Sequence, residues 1–178
     1  NWRWSLGKPQ YDWLKATLQG SRAKYKFLFL HHLVGGIASA RGGVESALRY
    51  EWGGKNADDT EGFAAKRPGW DMPIHQLLVA NKVSVVFHGH DHFYGYQTLD
   101  GVVYQECPQP GTANFSTGSA RDGEYTQGVI LPNSGHLRVT VGPDNAKVEY
   151  VRVALPNQET AVLRNRTIAH TYTIAPAN

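Results

Sequence analysis

Apolar residues recur along this chain in two rhythms, and the change from one to the other divides it. In residues 10–18 (QYDWLKATL), Tyr11, Leu14 and Leu18 repeat at intervals of three and four, the spacing of one helix face, and Pro9 stands where a first helical turn tolerates it. Gly20 and Ser21 close that helix. Residues 25–30 (YKFLFL) then form a short apolar run with charges before it and His31 and His32 after it, which predicts a buried strand. The order repeats further on. Pro73 opens PIHQLLVAN with Ile74, Leu77 and Leu78 on one face, Asn81 stops it, and residues 83–87 (VSVVF) predict a strand that delivers His88, Gly89, His90, Asp91 and His92. Twice, helix leads to strand and strand to histidines.

Beyond His92 the period shortens to two. Residues 93–99 and 102–105 flank Asp100-Gly101, a two-residue hairpin signal. Residues 136–141 (HLRVTV) and 147–153 (KVEYVRV) flank GPDN and predict a second hairpin, with a further strand at 167–174. Residues 35–69 carry three glycine pairs and one short predicted helix at 44–50, so they read as a long functional loop. Residues 108–127 read as loop. Neither an internal repeat nor a low-complexity tract is present.

At 178 residues, 41% hydrophobic and 19% charged, the chain has the size and composition of one folded domain, 1–178, within which the late hairpins at 136–178 are either integral or an appended β extension. No apolar run approaches the roughly 18 residues of a membrane span. The net charge of +3 comes from scattered basic residues, so nucleic acid is not expected as a partner. Cys107 is the single cysteine, which excludes an internal disulfide and leaves metal chemistry to His, Asp, Glu or Asn.

Five of the eight histidines fall in the two strand-end groups. In extended backbone, residues i and i+2 project to one side about 6–7 Å apart, so His90 and His92 can face a common site, and Gly89 lets backbone or ligand approach closely. Two metal ions about 3.5–4 Å apart would each accept one of these imidazoles. His88 and Asp91 are candidates to orient the ligands through hydrogen bonds. Arg41 and Arg67, in the glycine-rich excursion, carry the guanidinium fork that suits phosphate. Trp52 and Trp70 read as anchors of that excursion, His75 as a structural histidine and Cys107 as packing.

Three stretches together resemble the C-terminal half of calcineurin-like metallophosphoesterases: residues 10–32 (QYDWLKATLQGSRAKYKFLFLHH), 83–95 (VSVVFHGHDHFYG) and 101–111 (GVVYQECPQPG). The resemblance implies an α/β fold, a two-sheet sandwich with flanking helices, without its N-terminal portion. It implies that His31 and His90 share one ion, that His92 holds its neighbour, and that His32 either exchanges roles with His31 or faces substrate and takes a catalytic part. Two divalent ions (Mn, Zn, Fe or Mg) and a phosphoester substrate, monoester or diester, follow from it. So does a place outside the cytoplasm, as in secreted bacterial members rich in Trp and Tyr.

The family's other motifs, DxH, GDxx and GNH(D/E), are not found: Asp91-His92 lacks the spacer and Ser134-Gly135-His136 is not GNH. The chain therefore reads as a portion whose missing N-terminal half supplies the carboxylates, and by itself as weakly active or inactive. Two adjacent dications without a bridging anion repel each other strongly. A mononuclear zinc hydrolase on His31, His90 and His92, and a non-catalytic module binding a glycan or a protein, stand beside this reading.

Overall fold

The computed structural model describes residues 1–36 and 41–177; residues 37–40 of the glycine-rich excursion lie outside it. Helix α1 (Lys8–Gly20) is the first predicted helix, and it buries Tyr11, Leu14 and Leu18. Strand β1 (Phe27–Phe29) follows. Three one-turn helices, α2 (Val44–Ala47), α3 (Tyr50–Gly53) and α4 (Phe63–Lys66), occupy the excursion, where one helix was expected. Next come α5 (Ile74–Ala80), β2 (Val85–His88), β3 (Tyr94–Leu99) and β4 (Val102–Glu106). Residues 108–127 contain a short helix, α6 (Gly118–Asp122), and β5 (Val129–Leu131) lies just beyond. Strands β6 (Gly135–Val141), β7 (Ala146–Arg152) and β8 (Ile168–Ile174) complete the order, with a 3-10 turn at Pro156–Gln158.

Strands β1 to β5 form one sheet in the order β1-β2-β4-β3-β5, and β6-β7-β8 form a second. β1, β2 and β4 run parallel, whereas β3 is antiparallel to both β4 and β5. The β3-β4 turn puts Asp100 (φ 48°) and Gly101 (φ 81°) both in left-handed backbone, as a two-residue primed turn requires.

Period-two alternation explains how the first sheet packs on both faces. Val86, Val102 and Tyr104 join α1, α5 and the excursion in one apolar cluster, with Leu14, Trp52, Ile74 and Leu78. Val85, Phe87 and Val103 point the other way, into a cluster with Val148 and Tyr172 of the second sheet. Tyr94 stacks on Tyr150 across that interface, ring centres 4.5 Å apart and 3° from parallel. β2 is thus buried along its whole length, which is why it reads as an unbroken apolar run.

β1 is the exception to the expected burial. It ends the sheet, paired only with β2 among the described residues, and Phe29 is 70% exposed although it stacks on Phe87 at 4.9 Å. Among the described residues, no helix is long and apolar enough to cross a membrane.

Leu78 is fully buried between α5 and the sheet. Leu78→Ala is expected to lower stability in urea unfolding by about 2–5 kcal/mol. Trp13→Ser, at a side chain 61% exposed, is expected to cost less than about 1 kcal/mol.

Candidate functional site

Parallel pairing sets the site. With Phe27 opposite Val85 and Phe29 opposite Phe87, β1 and β2 end together. The ladder runs on past both strands: Leu30 N–H donates to Phe87 O at 3.1 Å and Gly89 N–H to His31 O at 2.9 Å. The residues after each strand therefore meet, although 59 positions separate His31 from His90.

Three imidazoles converge there. The ring centres of His31, His32 and His90 form a near-equilateral triangle with sides of 5.3, 5.3 and 5.4 Å. His90 Nδ1 lies 3.3 Å from His31 Nε2, so one of these nitrogens carries the hydrogen and the other the lone pair. Both His32 ring nitrogens are shielded from solvent and have no hydrogen-bond partner among the described residues. Burial, reinforced by the neighbouring His31 and His90, holds His32 below the ordinary histidine range, so this ring is neutral at neutral pH. Trp4 packs edge-on against it at 6.0 Å and is itself half-exposed.

His92 stands differently. Its ring is exposed and makes no contact with the trio among the described residues, while its backbone oxygen is held by Asn133 Nδ2. His90 (φ 87°) and His92 (φ 51°) both sit in left-handed backbone, at a cost of about 1–3 kcal/mol each, and flank Asp91. Such a turn persists only when its surroundings fix it. Asp91, 1% exposed, is that anchor: Oδ1 accepts from Arg41 Nη1 at 2.9 Å, and Oδ2 accepts from Gly42 N–H at 3.0 Å and Tyr125 OH at 2.8 Å.

Below the turn lie His88 and Glu106, buried side by side on β2 and β4. His88 Nδ1 is 2.8 Å from Glu106 Oε2. Glu106 Oε1 accepts the Asp91 N–H at 3.0 Å. Burial pushes the Glu106 carboxyl up, and the contact with His88 opposes this. His88 touches none of the clustered imidazoles; its ring lies against Tyr104 instead.

The two arginines are engaged. Arg41 holds Asp91, and Arg67 binds the fully buried Glu51, the Lys66 carbonyl and the Trp2 and Trp4 carbonyls, which occupies four of the five N–H groups of a guanidinium. Trp52 is buried and Trp70 stacks on Tyr11 at 4.1 Å, so both anchor the excursion. His75 is satisfied by Tyr104 OH and Asp100. The Cys107 thiol packs between the sheets and is pushed up to about 12 by burial.

Two contributors were not evident from motif reading, Glu106 and Asn133. A carboxylate inside an apolar strand (VVYQEC) is the signal that would have found Glu106. Asn133 sits in an unpatterned stretch and gives no such signal.

The donor chemistry suits a borderline metal such as zinc, which takes neutral imidazoles and an open fourth position. It does not suit a bridged pair, because the nearest carboxylates, Asp91 and Glu106, are spent on backbone and on other side chains. Among the described residues, no group of three or more His, Cys, Asp or Glu has its donor atoms gathered to hold an ion.

No protein-family model matches the sequence, and no curated protein matches it. Among solved structures, the chain is similar to a purple acid phosphatase from seeds of yellow lupin (Lupinus luteus), with a TM-score of 0.54 and 13% identity over 98% of this chain. The chain spans 29% of the length of that protein. At this identity the likeness is one of fold: a mixed α/β chain with two sheets, shared with part of a phosphatase.

Because the folded state disfavours protonated His32 whereas an unfolded histidine takes its proton near 6.5, this group's stabilisation is present above about pH 6.5 and lost as pH falls below it. His170, also held low by burial, acts in the same direction. Urea midpoints at about pH 7.5 and 5.5 are expected to fall less for His32→Asn than for the unaltered chain; equal falls would contradict the assignment.

Proposed function

We propose that this chain carries the histidine side of a divalent-metal phosphoesterase site. The observation behind the reading is the meeting of His31, His32 and His90 from two parallel strand ends, in a fold shared with part of a phosphatase. His31 and His90 are the residues to hold one ion, and His92, exposed on the same turn, is the residue to hold a second. A bound divalent ion supplies Lewis acidity toward a phosphoryl oxygen and lowers the pKa of water.

The remaining work falls to the chain's own side chains. Neutral His32, its ring nitrogens shielded from solvent, packs against the His31 and His90 rings and helps to fix their orientation. Arg41, tied at Nη1 to buried Asp91, is held at the base of the histidine turn, where a guanidinium N–H can donate to an anionic substrate. Trp4 gives the site an apolar wall beside His32. Arg67 acts indirectly, by fixing the Trp2 and Trp4 backbone over Glu51.

A second reading, a single-zinc hydrolase, is favoured by the all-imidazole donor set and the absence of a free carboxylate beside it among the described residues. The two differ in whether a second ion joins once a carboxylate is supplied from elsewhere; for the chain by itself both give one ion. Soluble monoesters and diesters are the substrates to try for either.

Calorimetric titration with Zn²⁺ is expected to show one ion per chain, lost in His31→Ala and in His90→Ala. Zinc at 100 times its Kd should add about 2.7 kcal/mol to stability. Turnover of p-nitrophenyl phosphate should be low, for want of a bridging anion. Absence of zinc binding in the unaltered chain would refute the reading, and robust turnover abolished by His90→Ala would refute the carboxylate argument.

A further inference from the structure

We propose that Glu106 is a positioning residue that sets the orientation of the histidine-bearing turn after β2. The carboxylate is fully buried at the last position of β4, opposite His88 in the parallel register. From there it spans two parts of the turn. Oε1 accepts the Asp91 N–H at 3.0 Å, and Oε2 lies against His88 Nδ1. The peptide it grips joins His90 to Asp91, so this hydrogen bond restrains the rotation that aims the His90 ring.

Three features make the hold specific. First, residues on both sides of Asp91 are in left-handed backbone, which is uncommon for a residue other than glycine. Second, the Asp91 side chain is already committed to Arg41, Gly42 and Tyr125, so it pins the turn to the excursion and leaves the backbone N–H to another partner. Third, the acceptor of that N–H is a buried carboxylate, and Cys107 N–H, one residue on, donates to His88 O at 2.6 Å. β4 thereby ties both the start and the middle of the turn. A carboxylate inside an apolar strand is costly to bury, and its place here is explained by the unpaired N–H it meets.

The proposal rests on the phosphoesterase reading only for what the turn is aimed at; how the turn is held is tested without metal. In the apo protein, amide and imidazole resonances of His90 and His92 are expected to move in Glu106→Ala and to keep their positions in Glu106→Gln, whose amide oxygen can still accept. His136 and His170, on the second sheet, should be unmoved in both. The Zn²⁺ Kd is expected to weaken about 10- to 100-fold in Glu106→Ala and to return to the unaltered value in Glu106→Gln.

Unmoved His90 and His92 resonances in Glu106→Ala would overturn the proposal, as would Glu106→Gln behaving like Glu106→Ala. Should Glu106→Ala not fold, hydrogen exchange of the unaltered chain decides: a protected Asp91 amide supports the restraint, and one exchanging at an open-loop rate overturns it. An unaltered chain that binds no Zn²⁺ counts against the phosphoesterase reading, and the apo resonances still decide the role of Glu106.

Discussion

The hydrogen bond from Gly89 N–H to His31 O, which carries the β1-β2 ladder past the ends of both strands, is the constraint on which the site depends. Parallel pairing requires two strand ends to finish side by side, and the chain places histidines at both. The intervening segment needs only to cross over the sheet, which α5 and the excursion do. The triangle of His31, His32 and His90 is therefore a consequence of register. A shift of one residue would turn every β1 side chain to the opposite face and break the triangle.

Charge is divided across the same region. Three buried acids face inward here: Asp91 to Arg41, Gly42 and Tyr125; Glu106 to the Asp91 amide and His88; Glu51 to Ser5, Leu6 and Arg67. Each accepts at least one hydrogen bond, as burial of a carboxylate demands. What remains at the strand ends is imidazole with an indole beside it. Such a surface offers nitrogen lone pairs and contributes little negative charge of its own.

Much of this was legible in the amino-acid order. Tyr11, Leu14 and Leu18, then Ile74, Leu77 and Leu78, mark the two long helices because one face of each packs on the sheet. β2 is legible because it is buried on both faces, and the β3-β4 hairpin because Asp100-Gly101 meets its left-handed turn. The edge position of β1 was not legible: YKFLFL has the composition of a central strand, and edge or centre is decided by neighbours. β5 is three residues before Pro132, too short for periodicity. The three one-turn helices of the excursion are held by tertiary contacts such as Glu51 with Arg67, which no local pattern encodes. At the site, the histidines were visible as a cluster, whereas the separation of His92 from the trio depends on two left-handed residues that the sequence does not announce.

The central claim is that His31 and His90 meet at one point in space and can share an ion. Diffraction from zinc-soaked crystals, measured on either side of the zinc absorption edge, tests it most directly. An anomalous peak about 2.0–2.1 Å from ring nitrogens of both His31 and His90 is the predicted result. Zinc bound only at other residues, with the two rings apart and solvent between them, would contradict it.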